Sequence, residues 1–342
     1  MKNEITNWRG TRRGVLLGTL ALGAAVSAAA QRPAQRPVMQ PTPPLAGRWD
    51  LTVQAPDGAY PSWLEVERSG YSALVGRFVH RSGSARPIAE VHHTNGRFEF
   101  TLPPQWEHGK LKELRWEGRV QGDRITGRTR TIDGDWLNFT GTRAPTLARQ
   151  GEPRPAGSPI ELFNGESLSG WKPRHTREPH GWVVEDGLLR NRRPRVDLVT
   201  TRSFRDFKLH VEFRYPKGSN SGIYLRGRHE VQVQDDHGRP PDAHGIGGVY
   251  GFIKPRVNAA KPAGQWQTME ITLVGRELTV ELNGQEIICR QEIPGITGGA
   301  LDSREGQPGP IMLQGDHGPI DFRAVTLTPL QVAEPLFRRR DS

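Results

Sequence analysis

The composition of this 342-residue chain, with 40 Gly, 28 Pro and 35% hydrophobic residues, favours short strands and many turns over long helices. Its formal net charge is +10, of which residues 1–30 carry +3 and residues 31–45 carry +2, so residues 46–342 keep only +5. Such a small excess over so long a segment gives no reason to expect a nucleic-acid partner.

The N-terminus has the features of an export signal. Residues 11–17, TRRGVLL, show a twin-arginine pattern, an apolar run of small residues continues to residue 26, and residues 28–30, AAA, offer a cleavage site. The apolar run is too short to span a bilayer comfortably. We therefore expect residues 1–30 to be removed and the protein to be periplasmic or secreted, without stable membrane insertion.

A Pro- and Gln-rich tether at residues 31–45 precedes a first predicted domain at residues 46–143. This domain contains about eight short alternating segments separated by turns with Gly, Asn and Asp. They lie at 47–53, 63–67, 72–79, 88–92, 97–102, 114–120, 124–129 and 136–142. The pattern predicts a small antiparallel β-barrel or curved sheet. Its role stays open: it is either a substrate-recruiting module or a structural partner.

A second linker at residues 144–158 leads to a larger domain at 159–330, which is followed by a basic tail at 331–342. About eleven further strands are predicted at 182–185, 188–190, 197–200, 208–215, 222–226, 230–234, 266–274, 277–282, 285–290, 310–314 and 321–329. With no convincing helix among them, they predict a two-sheet sandwich, so the whole chain is expected to be all-β.

The chain has a single cysteine, Cys289, so no internal disulfide can form. It ends the apolar segment Glu286-Ile287-Ile288-Cys289. This pattern predicts that the thiol is buried as a small hydrophobic group.

The stretch from Asn220 to His237, NSGIYLRGRHEVQVQDDH, has the most unusual polar pattern. In residues 230–234, EVQVQ, strict alternation places the two valines on one face of a strand and a carboxylate with two amides on the other. One interpretation is a half-solvated edge strand followed by an acidic turn. The other is the floor of a cleft for a polar substrate.

Short phrases of residues 159–330, taken in order, resemble the 3-keto-disaccharide hydrolase family. They are LFNG at 162–165, LSGW at 168–171, WVVEDG at 182–187, FRDFKL at 204–209, NSGI at 220–223, EVQ at 230–232, NA at 258–259, KP at 261–262, Trp266, GPI at 309–311, LQ at 313–314, FR at 322–323 and PL at 329–330. Two positions depart from the family pattern. Ala324 replaces the usual Asn, and Gln234 replaces an apolar residue, which alters the surface of the predicted cleft.

The resemblance implies a concanavalin-like jelly-roll sandwich that cleaves 3-keto-glycosides. A sugar oxidised to a ketone at C3 has an acidic C2–H, because the carbanion is delocalised as an enolate. Removal of that proton, β-elimination of the C1 substituent and addition of water complete the cleavage. This chemistry needs a base, a group that stabilises the enolate and a proton for the leaving oxygen.

The candidate catalytic residues are Glu230, Asp235 and His317, and the resemblance implies that the same three are candidate ligands of a divalent cation. The type of cation (Ca²⁺, Mn²⁺ or Zn²⁺) is left open, and no organic cofactor is expected. The candidate substrate-binding residues are Arg226, Gln232, Tyr250, Lys261, Trp266 and Gln314. Three of these have structural alternatives: Arg226 as the ion-pair partner of Glu230, Lys261 as a loop cation and Trp266 as a core residue.

Two other functions compete with this interpretation. The first is a non-catalytic carbohydrate-binding module, since the same sandwich hosts many lectins. The second is a retaining β-glucanase, whose E-x-D-x-x-E pattern requires an acid where this chain has Gln232. The identity of the sugar and the oligomeric state are not determined by the sequence.

Overall fold

The computed structural model describes residues 41–103, 113–131, 133–148, 151–176 and 179–332, and every regular element in these ranges is a β-strand. The predicted export signal, most of the first linker and most of the basic tail lie outside the described residues. Within the described ranges, no helix is long and apolar enough to cross a membrane.

The first nine strands form one antiparallel sheet. They are β1 (Gly47–Ala55), β2 (Gly58–Ser69), β3 (Ala73–Val79), β4 (Arg86–Ile88), β5 (His92–Thr94), β6 (Arg97–Leu102), β7 (Leu114–Gln121), β8 (Arg124–Arg130) and β9 (Trp136–Arg143). Their order is β4-β3-β2-β1-β9-β8-β7-β6-β5, so β1 pairs with both its hairpin partner and the last strand. Of the two predicted forms, this path corresponds to the curved sheet.

Aromatic side chains fill the inner face of this first sheet. Trp116 stacks parallel to Phe100 with ring centroids 6.0 Å apart and lies 5.0 Å from the ring of Phe139. Glycines on neighbouring strands make room for these rings. A Cβ at Gly127 would lie 2.6 Å from the ring of Phe139, so the ring packs directly on the backbone of β8 and leaves no space for a side chain there.

The remaining fourteen strands form the second part. They are β10 (Pro153–Pro155), β11 (Ile160–Phe163), β12 (Trp171–Pro173), β13 (Trp182–Glu185), β14 (Leu188–Asn191), β15 (Leu198–Thr200), β16 (Phe207–Arg214), β17 (Asn220–Leu225), β18 (His229–Gln234), β19 (Gln267–Val274), β20 (Glu277–Leu282), β21 (Gln285–Glu292), β22 (Met312–Leu313) and β23 (Ile320–Val332). One sheet of nine strands runs β13-β14-β23-β16-β19-β20-β21, with β10 and β11 also paired to β23, and a five-stranded sheet runs β12-β15-β22-β17-β18.

The two sheets pack face to face around one hydrophobic core. In β16 every second residue from Phe207 to Phe213 is buried, and in β18 Val231 and Val233 enter the same core from the opposite sheet. The fold is therefore all-β, with a jelly-roll sandwich preceded by a curved antiparallel sheet, as the sequence and the resemblance predict.

The prediction of a buried Cys289 is wrong, because the thiol is exposed. The pairing of β20 with β21 shifts register, with Glu281 opposite Glu286 and Val280 opposite Ile288. The extra residue, Ile287, forms a bulge that resets the alternation of the strand. Consequently two successive isoleucines are buried and the cysteine after them faces solvent.

Candidate functional site

The hairpin of β17 and β18 carries the central residues of the site. Its turn has Arg226 at φ 52° and Gly227 at φ 65°, and the N–H of Arg228 donates to the carbonyl of Leu225 at 3.0 Å. This register places Tyr224 opposite Glu230 on the adjacent strand. The predicted alternation of β18 is confirmed, because its valines are in the core and Glu230 projects from the other face.

Glu230 is a buried carboxyl group, only 4% exposed. The hydroxyl of Tyr224 donates to its Oε2 at 2.9 Å. The carboxyl lies over Gly222, where a Cβ would come within 2.3 Å of Oε1. Burial raises the pKa of Glu230 to about 8, although the Tyr224 hydrogen bond and the charge of His317 act in the opposite direction. A carboxyl group with such a pKa suits general base catalysis near neutral pH.

His317 and Asp316 form a second titratable pair near Glu230. The imidazole Nδ1 of His317 lies 2.5 Å from Oδ1 of Asp316. This hydrogen bond raises the pKa of His317, and the negative charges of Asp316 and Glu230 act in the same direction. His317 therefore favours its protonated form near Glu230 and can supply a proton.

Asp197 and Arg174 add an ion pair on the same side of the sheet. Nη1 of Arg174 lies 3.0 Å from Oδ2 of Asp197, whose Oδ1 accepts the N–H of Gly315 at 3.0 Å. Burial raises the pKa of Asp197. Both side chains act electrostatically on Tyr224, the hydroxyl partner of Glu230. Arg174 thus brings a partly exposed positive charge to the group around Glu230.

Two amide side chains on this sheet have unused acceptor atoms. Oε1 of Gln232 and Oε1 of Gln314 are buried, and neither has a hydrogen-bond partner among the described residues. Nε2 of Gln232 donates to Oδ1 of Asn220 at 3.2 Å, which fixes the orientation of the amide. Because buried polar atoms are normally paired, these two oxygens have the capacity to accept hydrogen bonds from a bound molecule.

Tyr250 and Asp235 occupy different surroundings. The N–H of Tyr250 donates to the carbonyl of Glu230 at 3.1 Å, and the pKa of Tyr250 is raised by burial and by the charge of Glu230. Tyr250 therefore lies beside Glu230. The carboxylate of Asp235 instead accepts the N–H of Gly218 at 2.8 Å, so the structure gives it a contact within a turn.

The structure places three of the predicted substrate-binding residues away from the Glu230 group. Arg226 is 2% exposed and pairs with Asp206 at 3.0 Å, so it contacts neither solvent nor Glu230. The ring of Trp266 lies against the guanidinium groups of two arginines of the nine-stranded sheet, on the opposite side of the sandwich. Nζ of Lys261 donates to the carbonyl of Trp266 at 3.2 Å, which puts it with that residue rather than with the Glu230 group.

The three predicted cation ligands do not converge. Among the described residues no three His, Cys, Asp or Glu side chains form a group that could hold a metal ion. Glu230 is bonded to Tyr224, His317 to Asp316, and Asp235 to the N–H of Gly218. In this arrangement the set does not fit a divalent cation, which requires several oxygen or nitrogen ligands at one point.

Sequence reasoning missed Tyr224, Asp316, Asp197 and Arg174. Tyr224 could have been found from the turn of the hairpin, since pairing of the two strands across Arg226-Gly227 puts Tyr224 opposite Glu230. Asp316 adjoins the predicted His317. The remaining two come from distant segments that only the sheet order brings next to the hairpin.

Comparison with known proteins supports a family assignment. Residues 158–328, half of the chain, match the family described as the 3-keto-alpha-glucoside-1,2-lyase-like domain. A 3-keto-disaccharide hydrolase from Bacteroides thetaiotaomicron is 25% identical over 148 residues, which are 33% of this chain and 51% of that protein. This chain thus matches only about half the length of that curated relative.

Two solved structures from Parabacteroides distasonis, both described as glycosyl hydrolases, are also similar. One is 28% identical, with a TM-score of 0.44, covering 50% of this chain and 83% of the other. The second is 21% identical, with a TM-score of 0.44, covering 51% and 94%. The match over half of the sequence shows that this chain belongs to the 3-keto-alpha-glucoside-1,2-lyase-like family.

Proposed function

We propose that this protein is an exported enzyme that cleaves 3-keto-glycosides by C2 deprotonation, β-elimination and hydration. The observation that carries the proposal is the buried carboxyl group of Glu230. It lies in the domain that matches the family, and burial raises its pKa to about 8. The name of the Bacteroides relative, a 3-keto-disaccharide hydrolase, supports the substrate class. The twin-arginine pattern at residues 11–17 supports export.

In this mechanism Glu230 removes the proton from C2 of the 3-keto sugar. The electron pair moves onto the C3 carbonyl oxygen, and the positive charge of Arg174 stabilises the resulting enolate. When the enolate collapses, the C1–O bond breaks and protonated His317 donates its proton to the leaving oxygen. The free acceptor oxygens of Gln232 and Gln314 bind sugar hydroxyls.

Hydration then completes the hydrolysis. Neutral His317 takes a proton from water as the oxygen adds to C1 of the enone, and Glu230, after its carboxyl proton has exchanged with solvent, donates a proton to C2. Both side chains end in their starting protonation states. The net reaction consumes one water and releases the alcohol and the free 3-keto sugar, so no oxidant or reductant is required.

The test is incubation of the purified protein with a 3-keto-glucoside in deuterium oxide, followed by mass spectrometry and NMR. We expect release of the aglycone with deuterium at C2 of the sugar. A parallel reaction with a chelator shows whether the activity depends on a metal. Saturable sugar binding without release would refute the proposed reaction and favour the carbohydrate-binding alternative.

A further inference from the structure

The Glu230 end of the site is covered by residues 293–301, which we call the cover segment. The hydroxyl of Thr297 accepts the N–H of Glu230 at 2.9 Å, and the carbonyl oxygen of Gly298 lies 2.9 Å from the Tyr224 hydroxyl, whose single O–H it shares with Oε2 of Glu230. Gly299 has φ +80°, and a Cβ there would lie 2.5 Å from the Tyr224 hydroxyl. The cover segment therefore sets the position of both partners in the Tyr224–Glu230 hydrogen bond.

The opposite side of the cover segment packs against the first sheet, in the loop between β3 and β4. The N–H of Gly299 donates to the carbonyl of Arg81 at 2.9 Å. A Cβ on Gly298 would lie 2.3 Å from the carbonyl oxygen of Gly83. The two backbones thus approach so closely that only glycine fits at position 298. Both parts of the chain belong to one compact unit.

Trp63 of β2 extends this contact with an apolar cluster. It is fully buried together with Val79, Ile296 and Ala300, so two residues come from the first sheet and two from the cover segment. The indole also lies against the backbone of Gly295, where a Cβ would be 2.2 Å from Nε1. Such close packing leaves no room for the cover segment to shift toward the first sheet.

A buried polar contact lies further along the same boundary. Nη1 of Arg276 is 2.5 Å from Oε2 of Glu305 and donates to the carbonyl of Pro294, at the start of the cover segment, at 2.8 Å. Nη2 of the same arginine donates to the carbonyl of Pro145 at 3.2 Å. One buried guanidinium thus ties the cover segment to the link between the two parts.

We propose that the first sheet is a fixed wall of the site, in which Trp63 and Gly83 are positioning residues that hold the cover segment and, through it, Tyr224 and Glu230. This inference rests on the proposed function for its catalytic consequence. It assigns a role to residues 47–143, which lie outside the family match at 158–328. The cover segment contains no strand of its own, so contacts from both sides determine its position.

The first test is Gly298→Ala, with Gly306→Ala as the matched control. The methyl group at 298 would collide with the backbone of Gly83, whereas at 306 it would meet only Pro145 at 3.4 Å. We expect Gly298→Ala to speed hydrogen–deuterium exchange in peptides covering the Gly299 and Glu230 amides by about tenfold or more, since local opening controls exchange. Gly306→Ala should leave these peptides unchanged.

The same variants are assayed for deuterium incorporation at C2 of a 3-keto sugar. We expect a loss of about 100-fold for Gly298→Ala, because a small displacement of a catalytic group has this order of effect. Unchanged amide exchange would overturn the proposed wall, whatever the activity. Faster amide exchange with wild-type C2 exchange would overturn the positioning role. If the wild-type protein incorporated no deuterium at C2, the proposed function would be refuted. The amide-exchange result would still test the contact between the cover segment and the first sheet.

A second pair of variants distinguishes loss of the contact with the cover segment from a general loss of stability. Trp63→Leu and Trp116→Leu each truncate a fully buried tryptophan of the first sheet, but only Trp63 touches the cover segment. We expect both to lower Tm, and only Trp63→Leu to speed exchange at the Gly299 and Glu230 amides. Equal exchange in the two variants would overturn the proposal.

Discussion

The outer faces of the two sandwich sheets are both rich in polar residues, but they satisfy them differently. On the nine-stranded sheet, charges pair across strands: Lys208 with Glu270 at 3.2 Å and Arg214 with Asp321 at 3.0 Å. On the five-stranded sheet, Glu230 is buried with a raised pKa, and the amide oxygens of neighbouring side chains have no partner among the described residues.

The comparison shows that a polar face is not by itself a site. Partly exposed ion pairs contribute only about 0–1 kcal/mol each and complete each other's hydrogen bonding. A buried acceptor without a partner costs about 1–3 kcal/mol, which binding of a hydroxyl donor can recover. Two unpartnered acceptor oxygens beside a buried carboxyl group, rather than polarity alone, therefore distinguish the Glu230 face from the opposite sheet, where Nε of Arg190, a donor, is among the buried atoms without a partner in the described ranges.

The largest expected effect is that of Glu230→Gln, compared with Glu270→Gln on the other sheet. Removal of the general base should lower kcat by about 10³-fold, while the equal size of Gln preserves the fold. Glu270→Gln should keep wild-type activity. Steady-state kinetics with a 3-keto-glucoside and thermal unfolding provide the measurements. If Glu230→Gln kept more than about a tenth of the wild-type kcat, a base effect of this order would be excluded.

The next largest effect is expected in the pH dependence of proton abstraction, which only the Glu230 face should determine. Only ionised Glu230 can accept the C2 proton, and its pKa is about 8. The rate of deuterium incorporation at C2 should therefore rise about tenfold per pH unit below that value and level off above it. Tyr224→Phe removes a hydrogen bond that lowers the Glu230 pKa, so the midpoint should move to higher pH. A profile that is flat between pH 5 and 9 would contradict this assignment.

A smaller effect is expected from Gln314→Leu, with Gln291→Leu on the exposed part of β21 as control. Loss of the free acceptor should raise KM by about tenfold, equivalent to about 1.4 kcal/mol. Since no protein hydrogen bond to that oxygen is lost, Tm should stay the same or increase. The control should change neither. A lower Tm with unchanged KM would show that the amide has a structural role only.

The smallest effect is expected for Trp266→Leu. Its ring is 4.8 Å from the guanidinium of Arg214 and 4.5 Å from that of Arg323. Loss of these cation–π contacts should lower the free energy of unfolding by about 1 kcal/mol. Sugar affinity should be unchanged, and calorimetric titration checks this. Weaker sugar binding would return Trp266 to the substrate site.

Local pattern was sufficient to predict the parts of the site that lie on one strand. The alternation of residues 230–234 identified Glu230 and Gln232, because the period of a strand fixes which side chains share a face. The position of Trp266 on the other sheet could not be predicted, since its own segment does not show which sheet it belongs to. Asp197 and Arg174 require the order of the strands, which depends on long-range pairing.

The exposed thiol of Cys289 has a practical consequence. It is the only cysteine in the chain and lies on β21, a strand of the sheet opposite to Glu230. A maleimide dye or a surface tether would therefore attach at one defined point without covering the Glu230 face. The hydrogen bond with Glu286 raises the pKa of the thiol, so coupling should be faster in mildly alkaline buffer, where more thiolate is present.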